Sequence, residues 1–292
     1  YKVVIYFPPA KINLGLKILC KRADGFHEIQ SIFLPTNWCD VLEVVVVENG
    51  ELGKLNFTCS GIEISDDNSS NTVVRAHKLL RENFNLPEIE ARLLKIIPTG
   101  AGLGGGSSDG SFMLKATNEL CELGISNKEL KSLASQLGSD CPFFIDNRPC
   151  LVSGRGEIID PLPFSIEDLK INKLSILLIH PGVHVNTGLA FTLLNQERNN
   201  KKLQFPKLPK LPLKQWKEVL HNDFQIPIAS KHPEILNAIN IIEDSDAEYV
   251  QMTGSGSSVF GLYKTGNYDK DVLKTAIKKA DKLGFTTYFG AI

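Results

Sequence analysis

The chain has 292 residues, long enough for one large or two medium domains. Hydrophobic residues make up 42% and charged residues 22%, the balance of a soluble globular protein rather than a disordered one. Lys and Arg total 32 against 33 Asp and Glu, a formal net charge of −1, so there is neither a basic excess for nucleic acid nor an acidic tail.

No apolar run approaches the ~20 residues of a membrane-spanning helix. The six cysteines (Cys20, Cys39, Cys59, Cys121, Cys141 and Cys150) form no C-x-x-C pair and no Cys/His cluster with zinc-ligand spacing. They favour reduced thiols in a cytoplasmic protein over disulfides.

In chain order, residues 2–7 and 12–19 are expected as strands, broken by Pro8, Pro9 and Lys11, which also spoil a signal-peptide pattern. RADGFHEIQSIF (22–33) holds a D-G turn and a following strand. Residues 40–47 and 54–59 are expected to pair as a hairpin across NGELG. A polar segment, 65–71, caps a helix near 71–83, and 89–97 is a strand ended by Pro98. A helix follows over about 108–123. SNKELKSLASQLG (126–138) opens with a capping box, Ser126 and Glu129. Residues 141–145 and 150–153 are short strand candidates.

A turn-rich stretch near 154–173 places a boundary between a domain at 1–155 and a second at 156–292. Residues 174–182 are a buried-type strand, 186–195 a helix, and the Lys/Pro/Leu-rich 199–214 a solvated loop. Helices are expected near 214–221, 233–243 and 269–283, around the Gly/Ser-rich 249–263. The final strand, TTYFGA, is a candidate to pair back onto the first domain. Strands and helices interleave without a strict βαβ rhythm, so the fold class is α+β.

PTGAGLGGGSSDGS (98–111) holds six glycines and three serines between an apolar strand and an apolar-faced helix. Glycine lets backbone N–H groups approach a ligand closely, and a helix start adds unpaired donors and partial positive charge. That combination is a phosphate cradle. A flexible linker, the plain alternative, would not be wedged between two packed elements. The Walker pattern fails because no lysine follows the glycines. GAGLGG matches G-x-G-x-x-G formally, but no acidic residue follows on a second strand, so a dinucleotide-dependent oxidoreductase stays a remote alternative.

The stretch P-x-x-x-G-L-G-G-G-S-S before a helix resembles motif 2 of the GHMP kinases, named for galactose, homoserine, mevalonate and phosphomevalonate kinases. PPAKINLGL (8–16) resembles motif 1 and TGSGSSVFG (253–261) motif 3, in the same order. The resemblance implies two α+β domains, the first like ribosomal protein S5 domain 2 and the second ferredoxin-like, with the active site in the cleft between them. It implies ATP as phosphoryl donor, Mg²⁺, an alcohol acceptor and no covalent enzyme intermediate. Within the family, GLGGGSSD, RADGFH and HPG (180–182) resemble members that phosphorylate the 2-hydroxyl of 4-diphosphocytidyl-2-C-methyl-D-erythritol. A mevalonate- or homoserine-type GHMP kinase is the alternative. The partner expected is thus a cytidine diphosphate-linked alcohol, not nucleic acid or membrane; a homodimer is left open.

Carried onto this chain, the resemblance makes Lys11 and Asp140 the catalytic pair. Asp140 takes or orients the hydroxyl proton, and Lys11 holds that carboxylate ionised and stabilises phosphoryl oxygens. The plainer roles are an exposed strand lysine and a helix-capping aspartate. Gly102, Gly104, Gly105, Gly106, Ser107 and Ser108 form the nucleotide cradle, with either serine a candidate Mg²⁺ contact. Asn71 and Lys95 resemble adenine-side positions. Asn13, two residues from Lys11 on one strand face, resembles a polyol contact. Phe26 and Phe191 resemble the two faces of a cytosine sandwich, His27 a contact to the base edge, and Thr187 a contact to the alcohol end. The family usually has Tyr where this chain has Phe26, which keeps the stacking and loses a hydroxyl. Without the resemblance, Phe26, His27, Thr187 and Phe191 would be ordinary core residues. Asp109 suits the helix dipole but would repel phosphate, and Gly110 should loosen the first helical turn by roughly 1 kcal/mol.

Overall fold

The computed structural model describes residues 2–63, 68–194 and 205–292. The strands are β1 (Lys2–Tyr6), β2 (Pro9–Lys21), β3 (His27–Cys39), β4 (Val41–Val47), β5 (Leu55–Gly61), β6 (Glu88–Lys95), β7 (Cys150–Gly154), β8 (Ile158–Asp160), β9 (Leu174–His180), β10 (Tyr249–Met252), β11 (Val259–Lys264) and β12 (Thr286–Ala291). The helices are α1 (Thr72–Arg81), α2 (Gly105–Leu120), α3 (Asn127–Leu137), α4 (Cys141–Asp146), α5 (Ile166–Leu169), α6 (Thr187–Thr192), α7 (Gln225–Ala229), α8 (Pro233–Glu243) and α9 (Lys270–Lys282). None of the described helices is long and apolar enough to cross a membrane.

The chain packs into two compact units, each assembled from separate segments. The first takes 1–10, 38–99 and 104–148; the second takes 11–37, 100–103 and 149–292.

The first unit is built on a sheet of order β1-β4-β6-β5. β4 pairs antiparallel with β1 and β6, while β5 and β6 run parallel, joined by the α1 crossover. Inward residues alternate along the strands: Leu42 and Val44 on β4, Ile89, Ala91 and Leu93 on β6. α1 and α2 pack on each other, and α2 lies against β1 and β4. The expected β4–β5 hairpin does not form, because β6 lies between these strands. The crossover gives β6 a neighbour on both edges, a non-local pairing that a turn-centred reading overlooks.

The expected strand at 141–145 is instead α4. Pro142 sits in its first turn and Asn147 ends it in the left-handed region, φ 48°. All five residues of CPFFI are buried; a short continuous apolar run carries no periodicity that separates helix from strand. The capping box at the start of α3 is present, with Ser126 and Glu129 bonding each other's backbone N–H.

The second unit holds two sheets, β2-β3-β7-β8 and β10-β11-β9-β12. The latter is antiparallel throughout. Its strand order, with α8 and α9 packed on it, is the ferredoxin-like arrangement. The last strand, β12, pairs with β9 inside this sheet rather than returning to the first domain. Its core includes Leu177, Ile179, Phe224, Ile235, Ile242 and Met252. Of the segment expected as a solvated loop, 199–204 lies outside the described residues. The rest forms 3₁₀ turns, Phe205–Lys210 and Leu213–Glu218, anchored by buried Phe205, Leu208, Leu213 and Trp216. The apolar residues spaced between its lysines and prolines are what bury it.

Candidate active site

In the first unit, β6 and the start of α2 flank the glycine loop, whose Gly104–Gly106 open the helix. Gly104 is the residue before the helix, in the left-handed region at φ 70°, and no side chain caps the helix there. The N–H groups of the first turn are thus left for an anion. Gly105 and Gly110 are glycine for reasons of space. A Cβ on Gly105 would lie 2.8 Å from Lys95 Nζ, and one on Gly110 would lie 2.9 Å from Thr72 Cβ. Gly110, a weak helix former by propensity, therefore lets α1 approach α2. Thr72 Oγ1 donates to the carbonyl of Gly106 at 2.5 Å.

Asn71 caps α1, its side chain accepting from Val73 N–H at 2.9 Å. Ser107 is half-buried at the helix start, whereas Ser108 is wholly buried and its Oγ has no hydrogen-bond partner among the described residues.

Lys95 is not open to an adenine through its ammonium. It is 1% exposed, and Nζ donates to Asp40 and, at 3.0 Å, to Asp109 Oδ2. Asp40 Oδ1 also accepts from the N–H groups of Ile96 at 2.5 Å and Ile97 at 2.8 Å. Burial opposes the charge on Lys95, but the two carboxylates outweigh it and raise its pKa. Removing one member of such a cluster would leave an uncompensated buried charge, a cost of about 3–5 kcal/mol.

Asp140 immediately precedes α4, half-buried, and its side chain makes no cap bond to that helix. The plain capping role is thus not what it does. Ser111 Oγ donates to the carbonyls of Ser107 and Cys141, both at 2.8 Å, tying α2 to the start of α4.

In the second unit, Lys11 on β2 is 3% exposed. Its Nζ donates to Asn13 Oδ1 at 2.8 Å and to the Gly102 carbonyl at 3.1 Å, and lies 4.6 Å from the Phe33 ring centroid. Asn13 Nδ2 donates to Ser31 Oγ at 2.9 Å, and Ser31 donates to the Gly15 carbonyl at 2.6 Å. Asn13 N–H donates to Thr253 Oγ1 at 3.0 Å, and that hydroxyl lies 3.1 Å from Asn13 Oδ1. Lys11 N–H donates to the Leu103 carbonyl at 2.8 Å, and Ser258 N–H to that of Ala101 at 3.2 Å.

The segments 11–16, 100–103 and 253–258 therefore meet around Lys11, Gly102 and Thr253. Gly102 has φ 78°, and a Cβ there would collide with the Thr253 carbonyl. His180, of the HPG segment, faces Ser257 and Ser258, with burial pushing its pKa down to about 4. It stays neutral and serves the turn.

The Asp24–Gly25 turn presents Phe26, 54% exposed, with the Arg155 guanidinium 4.7 Å above its ring centroid. It is His27, rather than Phe26, that stacks on Phe191. Phe191 also meets Phe224 edge-on at 4.9 Å. Thr187, one turn before Phe191 on α6, pairs its hydroxyl with Ser255 at 2.9 Å.

Asp40, Ser31, Thr72, Gln251 and Arg155, which no sequence motif marks, take part in these clusters. Gln251 Oε1 accepts from Gly15 N–H at 2.8 Å. Of these only Asp40 carried a signal: a charge in otherwise apolar strand surroundings, opposite in sign to Lys95 on the inward register of β6. Ser31, Gln251 and Arg155 acquire partners only through folding.

Residues 71–148 match the model of the GHMP kinases N terminal domain, and 206–284 that of the GHMP kinases C terminal domain. A 4-diphosphocytidyl-2-C-methyl-D-erythritol kinase of Azobacteroides pseudotrichonymphae is 41% identical over 89% of this chain and 94% of its own. Its counterpart in Parabacteroides distasonis is 39% identical over 92% and 94%. A crystal structure of 4-(cytidine 5'-diphospho)-2C-methyl-D-erythritol kinase superposes with a TM-score of 0.80 at 28% identity, covering 98% of each chain. Methanococcus jannaschii mevalonate kinase, at 13% identity and a TM-score of 0.71 over 99% and 98%, shares the fold. The chain belongs to the GHMP kinases and, within them, to the 4-diphosphocytidyl-2-C-methyl-D-erythritol kinase family. It is a phosphotransferase, and membership makes ATP the phosphoryl donor.

Proposed function

We infer that this protein transfers the γ-phosphoryl group of ATP to the 2-hydroxyl of 4-diphosphocytidyl-2-C-methyl-D-erythritol. The observation that carries the reading is the junction at Lys11. Its ammonium is held by Asn13 and by the Gly102 carbonyl of the glycine loop, in a family whose relatives carry that activity in their names. The glycines at 104–106 offer N–H groups to the phosphates. The hydroxyl oxygen attacks the γ-phosphorus, the bond to the bridging oxygen breaks, and ADP leaves. The hydroxyl proton passes to an Asp140 carboxylate oxygen and on to solvent. Phosphoryl transfer through a loose transition state asks mainly for positioning and charge compensation, which Asp140 and Lys11 are assigned to supply. Phe26, His27 and Phe191 are assigned to the cytosine, Asn13 and Thr187 to the alcohol end.

Among the described residues no group of three or more His, Cys, Asp or Glu side chains is placed to hold a metal ion. Mg²⁺ would arrive on the ATP phosphates. The Ser107 hydroxyl would touch it, since Ser108 is wholly buried. The ion neutralises phosphate charge when bound. Exposed free Cys20 and Cys59 suit a reducing cytoplasm.

The test is ADP release from Mg-ATP with a panel of the cytidine-linked alcohol, mevalonate and homoserine. Turnover with the cytidine compound alone is expected; turnover with another alcohol instead would refute the substrate assignment.

A further inference from the structure

Asp109 has no evident place in phosphate chemistry, since a carboxylate near the start of an anion-binding helix repels the anion. Its neighbours give it another role. Asp109 is 2% exposed, and Asp40 is fully buried. Both receive the Lys95 ammonium. Each of the three comes from a different segment. Asp40 sits at the β3–β4 junction and also binds the N–H groups of Ile96 and Ile97, where β6 turns toward the glycine loop. Lys95 ends β6 directly under Gly105, the first residue of α2. Asp109 belongs to the second turn of that helix.

A buried ion cluster is a poor way to gain stability, because apolar packing of the same volume does as well or better. What it provides is direction: fixed donor and acceptor geometry in a dry environment. Here that geometry links the strand end to the helix start across the glycine loop.

We propose that Lys95, Asp40 and Asp109 are positioning residues for the nucleotide, holding the first turn of α2 where its N–H groups meet the phosphates of ATP. This rests on the reading of the glycine loop as the ATP site. The titratable groups facing Asp109 are Lys95 on β6, Asp40 at the β3–β4 junction and Cys59 on β5. Burial raises the Asp109 carboxyl to about 7, with Lys95 opposing and Asp40 adding to the rise.

The experiment measures KM for ATP and for the alcohol, Mg-ATP binding by calorimetry, and thermal stability, in the whole protein at one fixed pH. Lys95→Met is expected to raise the KM for ATP about tenfold or more, since small misplacements of binding groups have large effects. The KM for the alcohol should stay within about twofold. Asp109→Asn, which keeps an acceptor for Lys95 but weakens the pairing, is expected to raise the KM for ATP by a smaller factor and leave the KM for the alcohol unchanged. This second variant decides the matter if Lys95→Met does not fold. Lower thermal stability with both KM values unchanged in both variants would overturn the proposal and leave a purely structural cluster. A wild type that binds no Mg-ATP would overturn the loop reading, and the proposal with it.

Discussion

His27 lies flat on Phe191, with ring centroids 4.3 Å apart and planes 10° from parallel. Under the proposed reading, a cytosine that stacks on this face of Phe191 would have to take the place of the imidazole. Base–aromatic stacking is worth about 1–3 kcal/mol. Phe191→Ala should therefore raise the KM for the cytidine-linked alcohol roughly ten- to hundredfold and leave the KM for ATP unchanged. Steady-state kinetics with each substrate varied in turn checks this; equal rises in both would point to general loosening of α6.

Lys11→Met keeps the buried stem and removes the charge held by Asn13 and Gly102. We expect kcat to fall by about 10²–10³, the scale of losing one preorganised charge stabiliser. Asp140→Asn should cost a similar factor. If the two serve one step, the double variant should be little worse than either single one. Multiplicative losses in the kinetics of the three variants would separate their roles.

Burial pushes the Cys141 thiol up to about 11, against a hydrogen bond from Ser107. The reactive thiolate is therefore scarce next to Asp140. Iodoacetamide at pH 8 should label exposed Cys20 and Cys59 in the native protein and reach Cys141 only on unfolding. Peptide mapping by mass spectrometry reads the order. Native labelling of Cys141 as fast as of Cys20 would contradict the packing of α4 against α2.

Burial, with Arg81 adding to it, pushes His77 down from 6.5 to about 4. Between those values the unfolded chain binds more protons than the folded one, so stability is full above 6.5 and is lost as the pH falls toward 4. His77→Leu should make the decline of Tm with acidification shallower in that window. An unchanged slope across a pH series of melting curves would show that His77 is not a buried neutral group.

Much of this was legible in the sequence because the relevant signals are local. The glycine loop had to accommodate positive φ and close backbone approach, and Gly102 and Gly104 adopt positive φ. Ser126 with Glu129 announced α3, and Pro233 opened α8 where periodicity placed a helix. The errors came where partners are distant or periodicity is silent. β6 entered between β4 and β5 through a crossover, and CPFFI formed a helix. Asp40 and Lys95 are 55 positions apart, so their pairing, and with it the role of Asp109, emerges only in the folded chain. Likewise the neighbours of Phe26 and Phe191 depend on where β7 and α6 bring Arg155 and the Phe191 ring.

The most direct measurement is an incubation of the wild-type protein with Mg-ATP and an equimolar mixture of 4-diphosphocytidyl-2-C-methyl-D-erythritol, mevalonate and homoserine, with products resolved by mass spectrometry and phosphorus NMR. The predicted result is one new phosphomonoester, on the 2-hydroxyl of the cytidine compound, formed in step with ADP. A phosphoryl group on another alcohol, or ADP formed with no phosphorylated product, would contradict the account.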